Sequence, residues 1–278
     1  MTATHSPITG ATPVLPPPLA PICPDSAIPA GSDPSVGTPA MQTLPSLSIV
    51  LPCFNEEANV ADAIRNAASA AALTSEDYEI IVVDDGSTDD TARIAGRFVE
   101  TDVRVRLVVH ARNRGYGDAV RSGIEAARMD WVLLTDADLQ FDLRELEDFV
   151  PLTRTADVLW GYRILRRDSL ARRAAAAAWN RLVRGLFHLP VRDVDCGFKL
   201  IRRDILDRVH LKTSGAMIST ELAVRCRAEG ARFAEVGVHH RSRVAGEETG
   251  GNPRVVLRAF RELATMHTAL HGLSRPAS

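Results

Sequence analysis

Two aspartates stand one residue apart where an apolar run of the sequence ends. The stretch "LLTDADLQF", residues 133–141, carries Asp136 and Asp138, and Gln140 follows two residues later. Side chains at positions i and i+2 of a strand point to the same face, so the two carboxylates can converge on one hard cation. Mg²⁺ and Mn²⁺ prefer oxygen ligands and keep open positions for substrate phosphates. The pattern predicts a divalent-metal site, although a solvated Asp-rich turn has the same composition.

Two other loops carry polar side chains that suit a nucleoside. "VVDDGSTDD" places Asp85 where it can accept hydrogen bonds from a base or a ribose, and Gly86 would keep the backbone clear of that ligand. "LPCFNEE" places Phe54 and Glu56 where they can flank a base and a ribose. The competing interpretations are an ordinary Asp-Gly turn and an ordinary helix cap. Taken singly, each stretch leaves both interpretations open.

Alternating strands and helices are predicted to position these loops. Continuous β-branched strands followed by helices are typical of an α/β fold with a mostly parallel central sheet and helices on both faces. Ligands of such sheets bind outside the carboxyl ends of the strands, where all three loops lie. The predicted strands are 47–51, 78–85, 105–111, 131–136, 157–163 and 231–244, and the predicted helices after the first are 91–100, 119–128, 143–150, 169–189 and 253–273.

The first predicted helix begins soon after the first strand. Pro52 is expected to end the strand, Asn55 to cap the helix, and Glu56 and Glu57 to lie in its first turn. Further along, the helix 169–189 is amphipathic, with an apolar face that consists of Trp179, Leu182, Val183 and Leu186.

Composition limits the classes of function. The chain has 278 residues, 45% of them hydrophobic, and a formal net charge of -2, which gives no reason to expect nucleic-acid binding. Four separated cysteines form no CxxC or Cys/His cluster and are interpreted as free thiols. No secretory signal and no long apolar run is evident, so we expect a cytoplasmic protein that can touch a membrane surface. Residues 1–45, rich in proline, are predicted to be a disordered tail.

The order of the motifs resembles glycosyltransferase family 2. A strand ending in P-x-aromatic-N-E, a strand ending in DDGSxD and a strand ending in DADLQ follow one another over residues 46–262. Within that family the chain is most similar to the polyprenyl-phosphate (dolichol-phosphate) mannose and glucose synthases, through "NRGYGDAVRSGI", "WGYR", "DVDCGFKLIRRDIL" and "ISTELAVRCRAEGARFAEVGV". The resemblance implies a GT-A-type, Rossmann-like catalytic domain over 46–272, with a nucleotide-sugar half, 46–155, and an acceptor half, 156–272.

The resemblance also implies a role for individual residues. Asp136 and Ala137 would face the nucleotide sugar, and Asp138 with Gln140, beside Asp136, would hold Mg²⁺ or Mn²⁺ on its diphosphate. Asp138 and the two arginines that would contact the phosphates are the implied catalytic groups. These arginines are Arg163 and Arg243, and the nucleoside pocket would consist of Pro52, Phe54, Glu56, Val83 and Asp85.

Two motifs depart from the family pattern. The family often has tyrosine where Phe54 stands, so one hydroxyl contact is lost. Its R-x-x-G-x-S-K ending is "RVAGEET" here, with Glu248 and Thr249 in place of serine and lysine. The missing cation would weaken donor binding or transfer that work to Arg241 or Arg254.

The acceptor can be inferred from the group that attacks the sugar. A hydroxyl must lose its proton to a positioned base, whereas a phosphate monoester, with a second pKa of roughly 6, is already mostly dianionic. Hydroxyl-directed members of the family typically carry an E-D pair where this chain has Glu221 and Leu222. The absence of that pair favours a phosphate acceptor, and Glu221 is either a base or a structural carboxylate beside an arginine.

Basic residues cluster around the helix 169–189. A basic amphipathic helix suits an anionic membrane surface or a phosphate, although solvated arginines on a helix packed against the core are an equally good interpretation. The cluster is Arg163, Arg166, Arg167, Arg172, Arg173, Arg181 and Arg184, with Asp168 against it.

The expected function is therefore a metal-dependent, inverting transfer of a hexose. The donor would be a nucleoside-diphosphate sugar of the GDP-mannose or UDP-glucose type, and the acceptor a polyprenyl phosphate at the cytoplasmic face of a membrane. Two alternatives stay open: the same fold glycosylating a soluble hydroxyl acceptor with Glu221 as base, and a non-catalytic nucleotide-sugar-binding scaffold. A nucleotidyltransferase is disfavoured, because "LPCFNEEANV" is not a glycine-rich basic loop.

Overall fold

The computed structural model describes residues 42–164, 170–241 and 262–268, with the backbone alone for residues 170–175. No helix within these ranges is long and apolar enough to cross a bilayer. Three of the four cysteines are described, and all three are buried free thiols, as predicted. Several predicted features lie outside the described residues: residues 1–41 of the Pro-rich tail, Arg166, Arg167, Asp168, the side chains of Arg172 and Arg173, and Arg243, Glu248, Thr249 and Arg254. The predicted tail boundary at residue 45 is too late, because Leu44 and Pro45 already belong to the first strand.

One seven-stranded sheet organises the described residues. Its strand order is β3-β2-β1-β4-β6-β5-β7. Every neighbouring pair is parallel except the two that include β6, which runs antiparallel to β4 and to β5. The predicted mostly parallel sheet is therefore confirmed. The strands are β1 Leu44–Cys53, β2 Ser75–Asp84, β3 Val105–Val109, β4 Trp131–Leu134, β5 Val158–Ile164, β6 Lys199–Arg202 and β7 Phe233–His239.

Helices cover both faces of this sheet. The central strands are fully buried, as at Ile49, Val50 and Ile81, which leaves no face of the sheet for water. One group of helices packs around α1 and another around α3 and α7. The helices are α1 Val60–Thr74, α2 Thr91–Thr101, α3 Tyr116–Ala126, α4 Leu146–Phe149, α5 Leu170–Phe187, α6 Arg203–Leu206 and α7 Ile218–Ala228, and residues 262–268 are also helical.

The first strand and helix differ from the sequence prediction. β1 continues through Pro52, which pairs with Val83 of β2. Pairing of β1 with β4 stops at Val50, so no β4 residue lies opposite Pro52 and its missing N–H interrupts no hydrogen bond with β4. Asn55 does not cap α1, because it adopts a positive φ of 55° and its side chain turns away to accept a hydrogen bond from the Thr88 amide. Glu56 and Glu57 accordingly lie in a turn before α1.

Other elements also differ from the prediction. The antiparallel strand β6 was missed, because its four residues are too few to show a period. The predicted helix 143–150 is instead a 3₁₀ turn, the single turn of α4 and a second 3₁₀ turn. On α5, Val183 and Phe187 are buried at 0% and 1% exposure, whereas the predicted core residue Leu182 is 42% exposed.

A buried carboxylate joins the start of β5 to its neighbours. Asp157 accepts hydrogen bonds from Nε and Nη2 of Arg232, both at 2.9 Å, and pairs with Nη1 of Arg202 at 3.0 Å. The hydrogen bonds from Arg232 lower the pKa of Asp157 to about 2, and burial opposes this shift. The carboxylate is 5% exposed, but both arginines reach solvent.

We expect Asp157→Asn to lower the free energy of unfolding at pH 7 by about 1–2 kcal/mol. A carboxyl with a depressed folded pKa contributes stability that is complete above its unfolded pKa of ~3.9 and is lost as the pH falls through the folded pKa. The difference between wild type and variant should therefore shrink from about pH 4 towards pH 2. Urea unfolding at several pH values measures it, with the exposed Asp77→Asn as control. An equal loss at all pH values would contradict the assignment.

Candidate active site at the carboxyl edge of the sheet

The carboxyl ends of β1, β2 and β4 meet around the buried Cys53. The amide of Asp85 donates to the Cys53 carbonyl at 2.8 Å, and the amide of Thr135 donates to the Val50 carbonyl at 3.2 Å. Burial raises the pKa of the Cys53 thiol, and the carboxylates of Glu56, Asp84 and Asp136 raise it further. The sequence-predicted loops thus lie together at one edge.

The predicted nucleoside pocket is only partly presented to solvent. Phe54 is 44% exposed and Pro52 is half-buried, so both are available to a planar ligand. Glu56 is 8% exposed, and its Oε2 accepts a 2.6 Å hydrogen bond from Asn59. Val83 and Ala137 are buried at 0% and 2% exposure, so their side chains belong to the core and only their backbone could face a ligand.

Asp85 organises the loop that leads into α3. Its Oδ1 accepts from the Arg114 amide at 2.9 Å and lies 2.6 Å from Nδ1 of His110, and its Oδ2 accepts from the Gly115 amide at 2.8 Å. Nε2 of His110 in turn lies 2.9 Å from the Ser122 hydroxyl. The residue is 3% exposed. In this structure both carboxylate oxygens contact the protein, and the predicted contact of Asp85 with a base or ribose stays a prediction.

Gly86 also serves this loop. It has a φ of +71°, and a Cβ built at this position would lie 2.3 Å from the backbone carbon of Arg112 and 2.5 Å from the amide nitrogen of Asn113. The glycine therefore allows the segment before α3 to approach β2. The prediction that it also keeps the backbone clear of a ligand stays a prediction.

Asp136 is held from two sides. The Tyr116 hydroxyl donates to Oδ1 of Asp136 at 2.9 Å, and Tyr116 is itself 38% exposed. A Cβ at Gly197 would lie 2.3 Å from Oδ2 of Asp136, so the backbone of Gly197 packs directly on the carboxylate. The Gly117 amide donates to the Ser214 carbonyl at 3.0 Å, which joins the loop of Tyr116 to the segment before α7.

Asp138 and Gln140 form a tight turn beside Asp136. Oδ1 of Asp138 accepts from the Gln140 amide at 3.1 Å. The side-chain amide of Gln140 donates to the Arg241 carbonyl at 3.0 Å, and the Arg241 amide donates back to the Gln140 carbonyl at 2.8 Å. The Arg241 guanidinium is bound to Asp142 at 2.6 Å, so it is already paired before any phosphate arrives.

These residues fit a cation that substrate phosphates help to hold. Among the described residues no group of three or more His, Cys, Asp or Glu side chains could bind a metal alone. Asp136 and Asp138 nevertheless offer two half-exposed carboxylates one residue apart. Mg²⁺ and Mn²⁺ are commonly bound by one or two carboxylates together with phosphate oxygens and water. Gln140 donates its side-chain amide nitrogen to the Arg241 carbonyl, and its predicted role as a third ligand through the side-chain oxygen stays a prediction.

Arg163 forms a largely buried ion pair with Asp193. Its Nε and Nη2 donate to Oδ2 and Oδ1 of Asp193, both at 2.7 Å, and the side-chain exposures are 15% and 9%. Burial opposes the charge of Arg163, but the hydrogen bonds from the guanidinium to Asp193 raise the arginine pKa further above its ordinary value. Its predicted contact with substrate phosphates stays a prediction. Arg243, the other predicted phosphate ligand, lies outside the described residues.

Glu221 is buried, with hydrogen bonds to both of its carboxylate oxygens. It is 2% exposed, and its Oε2 accepts from the amides of Lys212 and Thr213 at 2.9 and 2.7 Å. Its Oε1 accepts from Arg225 at 2.8 Å. Burial opposes ionisation, but the amide hydrogen bonds lower the pKa of Glu221 below its ordinary value. The predicted pairing with an arginine is confirmed.

Sequence reasoning missed Tyr116, His110 and Asp193. Tyr116 and Asp193 lie in "NRGYGDAVRSGI" and "DVDCGFKLIRRDIL", which we used for the family resemblance without assigning a role to either residue. His110 is a single histidine at the end of β3 and gave no signal, because its partner Asp85 is 25 positions earlier in the chain.

We expect Tyr116→Phe to lower kcat/KM for the donor about tenfold, because a hydrogen bond to a carboxylate is worth more than a neutral one. The ring would keep its packing, so the melting temperature should barely change. Tyr162→Phe is a matched control, since Tyr162 lies beneath the Arg192 guanidinium on β5. Steady-state kinetics with both variants measures the effect. Equal rates for wild type and Tyr116→Phe would show that the hydrogen bond does not position Asp136.

Comparison with known proteins supplies the family context of this site. The model of "Glycosyl transferase family 2" matches residues 48–209. Undecaprenyl-phosphate 4-deoxy-4-formamido-L-arabinose transferase of Shewanella sediminis is 30% identical over 230 residues, covering 82% of this chain and 69% of that protein. Dodecaprenyl-phosphate galacturonate synthase of Rhizobium johnstonii is 31% identical over 235 residues, covering 83% and 69%. Glycosyltransferase AglD of Haloferax volcanii is 32% identical over 203 residues, and the match spans only 32% of its length.

Solved structures share the fold. Glucosyl-3-phosphoglycerate synthase from Mycobacterium tuberculosis, crystallised with Mn²⁺, UDP-glucose and phosphoglyceric acid, superposes with a TM-score of 0.60 at 20% identity, covering 85% of this chain and 81% of that one. A second mycobacterial protein gives a TM-score of 0.62 at 21% identity, covering 85% and 76%. At these identities the likeness shows a GT-A fold and nothing finer.

Proposed function

Because this chain belongs to glycosyltransferase family 2, we propose that it transfers one hexose from a nucleoside-diphosphate sugar to a polyprenyl phosphate. The donor is of the GDP-mannose or UDP-glucose type, and the reaction inverts the anomeric configuration. The observation that carries the acceptor assignment is the engagement of Glu221 by two backbone amides and Arg225. The E-D base of hydroxyl-directed relatives has no counterpart at this position. The names of the relatives from Shewanella and Rhizobium support the same class of acceptor.

The reaction needs positive charge more than it needs a base. An oxygen of the acceptor phosphate attacks the anomeric carbon, the bond from that carbon to the diphosphate oxygen breaks, and a nucleoside diphosphate leaves. Mg²⁺ or Mn²⁺, when bound, neutralises charge on the leaving diphosphate. Asp138 holds this cation, Asp136 is oriented by Tyr116 towards the sugar, and Phe54 covers the base. The acceptor is already a dianion at neutral pH, so no side chain has to remove its proton.

Contact with a membrane surface is part of the proposal. On α5, Arg181 and Arg184 are exposed, and the apolar Leu182 between them is 42% exposed. Basic and apolar side chains on one exposed helix suit the interface of an anionic bilayer. Co-sedimentation with vesicles of anionic and of zwitterionic lipid tests this contact. Equal binding of wild type and an Arg181→Glu/Arg184→Glu variant would contradict it.

The direct test is transfer of sugar to a short-chain polyprenyl phosphate. Purified protein, MnCl₂ and a panel of nucleotide sugars would be incubated with the lipid phosphate, and the glycolipid detected by mass spectrometry. Transfer that depends on Mn²⁺ or Mg²⁺ supports the proposal. Glycosylation of soluble alcohols, with no lipid phosphate product from any donor, favours the hydroxyl-acceptor alternative. Nucleotide-sugar binding without any transfer favours a scaffold.

We expect Glu221→Gln to keep kcat within about threefold of wild type while lowering stability by about 1–3 kcal/mol, because a buried charge-assisted network is broken. Turnover and urea unfolding are measured on the same preparation. The surface variant Glu229→Gln, at the C-cap of α7, is the control. A loss of turnover of more than about a hundredfold with intact folding would identify Glu221 as a base and contradict the phosphate acceptor.

A further inference from the structure

Lysine is rare in this chain, and one of its two lysines is buried beside the candidate active site. Of 33 basic residues only Lys199 and Lys212 are lysines, and the rest are arginines. Lys212 is exposed, whereas Lys199 is 2% exposed. An ammonium is a compact charge with three donors, while a guanidinium is planar and larger. A lysine at this buried position therefore indicates a role that requires a compact ammonium and that a larger, planar guanidinium would not fulfil.

The antiparallel strand β6 places Lys199 next to the acidic cleft, which is the part of the candidate site that contains Asp136 and Asp138. Lys199 pairs with Leu134 of β4 on one side and with Trp160 of β5 on the other. Leu134 is two residues before Asp136, and the Lys199 ammonium lies 5.0 Å from the centre of the Trp160 ring. Burial lowers the pKa of Lys199, and Asp136 and Asp195 act against this shift. The pairing with Leu134 at the carboxyl end of β4 places Lys199 at the edge of the sheet where Asp136 lies.

The ammonium has no direct anionic partner within the part of the chain whose side chains are described. No carboxylate there lies within 4.0 Å of it, and the contact recorded for its ammonium is with the face of the Trp160 ring, 5.0 Å from the ring centre. A buried charge without a hydrogen-bonded counter-ion is strongly unfavourable and is normally satisfied by a partner. The arrangement therefore suits an anion that enters from the cleft.

Arg163 does not fill this role in the structure. Its charge and two of its donors are committed to Asp193. A phosphate monoester brings about two negative charges into a cleft that already holds Asp136, Asp138 and Asp195. Placing that dianion requires a cation whose charge is not already matched by an adjacent carboxylate, and Lys199 meets this condition among the described residues of the cleft.

We propose that Lys199 forms the floor of a phosphate subsite that binds the acceptor's phosphomonoester group. The proposal rests on the proposed function and deepens it. The acceptor phosphate is favoured over the donor diphosphate because Lys199 lies on the β5–β6 side, next to Asp195, whose side chain is hydrogen-bonded to Trp179 of α5. The donor diphosphate belongs with the cation at Asp138. Lys199 thus holds the attacking phosphate below the anomeric carbon.

The scarcity of lysine makes a direct measurement on wild-type protein feasible. Lysine labelled with ¹³C at Cε gives two side-chain signals, and a Lys212→Arg variant assigns them by deleting one. A short-chain polyprenyl phosphate, the corresponding polyprenol, inorganic phosphate, and UDP or GDP with Mn²⁺ would be added in separate titrations. We expect the polyprenyl phosphate to shift the Lys199 signal saturably and to leave that of Lys212 in place, and the polyprenol to shift neither. A shift with inorganic phosphate at the same concentration would show that the headgroup alone suffices.

Variants provide the second readout. Lys199→Met should raise the KM for polyprenyl phosphate about tenfold or more, while the dissociation constant of the nucleoside diphosphate with Mn²⁺, from calorimetry, stays within about twofold. Lys199→Arg should keep the charge but recover only part of the affinity, because a planar guanidinium does not place its donors as a compact ammonium does. Lys212→Met is the matched control and should match wild type. Circular dichroism and urea unfolding confirm that each variant is folded.

The outcomes separate this inference from the proposed function. Transfer to polyprenyl phosphate with an unmoved Lys199 signal and an unchanged KM in Lys199→Met would overturn the inference and leave the function standing. A Lys199 signal that responds only to the nucleoside diphosphate with Mn²⁺ would also overturn it, by assigning the lysine to the donor. Absence of both binding and glycosylation of every lipid phosphate would refute the proposed function, and this inference with it.

Discussion

Asp138→Ala should reduce glycosyl transfer by about 10³-fold or more, since the carboxylate is expected to hold the cation that stabilises the leaving diphosphate. The residue lies in a half-exposed turn, so its replacement should change the melting temperature by only a few degrees. The first readout is the rate of transfer to a lipid phosphate. The second is calorimetric binding of UDP or GDP with and without Mn²⁺, which does not depend on turnover.

The binding measurement gives this prediction its specificity. Wild type should bind the nucleoside diphosphate more tightly with Mn²⁺ than without, and the variant should lose that difference. Asp148→Ala, an exposed carboxylate on α4 away from the cleft, is the control and should retain it. An Asp138→Ala protein that still binds nucleoside diphosphate in a Mn²⁺-dependent way would assign the cation to other residues.

Arg163→Met should lower the free energy of unfolding by about 3–5 kcal/mol, because it leaves the Asp193 carboxylate buried without its guanidinium. Asp193 is 7% exposed and pairs bidentately with Arg163. The measurement is urea or guanidinium unfolding at pH 7. The control is Arg192→Met, the neighbouring arginine, whose side chain is 58% exposed.

A double variant separates the structural role of Arg163 from contact with substrate. Arg163→Met/Asp193→Asn removes both charges, so it should recover a large part of the lost stability. If Arg163 acts only through Asp193, the double variant should also recover activity. If Arg163 touches a substrate phosphate as the family resemblance implies, activity stays low although stability returns. A single variant that loses less than about 1 kcal/mol would contradict the buried pair.

Several features of the site were predictable because they depend on local sequence. Continuous apolar strands followed by helices fix a mostly parallel sheet, and a parallel sheet brings the carboxyl ends of its strands to one edge. Asp85, Asp136 and Asp138 each follow such a strand, so their gathering required no knowledge of side-chain contacts. The metal-binding potential of the acidic pair likewise follows from residue type and spacing.

The partners of the polar side chains were not predictable in the same way. The hydrogen bonds of Asp85 with the amides of Arg114 and Gly115, about thirty positions later in the chain, were not predicted. The ion pair of Arg163 with Asp193, 30 positions away, was not predicted either. A charged group near several possible partners takes the one that the packed backbone brings into hydrogen-bonding reach, and residue type alone does not specify that choice.

The sequence by itself determined the family, the class of sheet and the acidic edge where chemistry is expected. The tertiary structure decided which charged side chains at that edge already have a partner of opposite charge. It inserts the short antiparallel strand β6 between β4 and β5, which brings the lysine of that strand opposite Leu134, two residues before Asp136. The physical reason is that a strand of four residues leaves no period in the sequence, whereas its position in the sheet sets the electrostatic environment of the entire cleft.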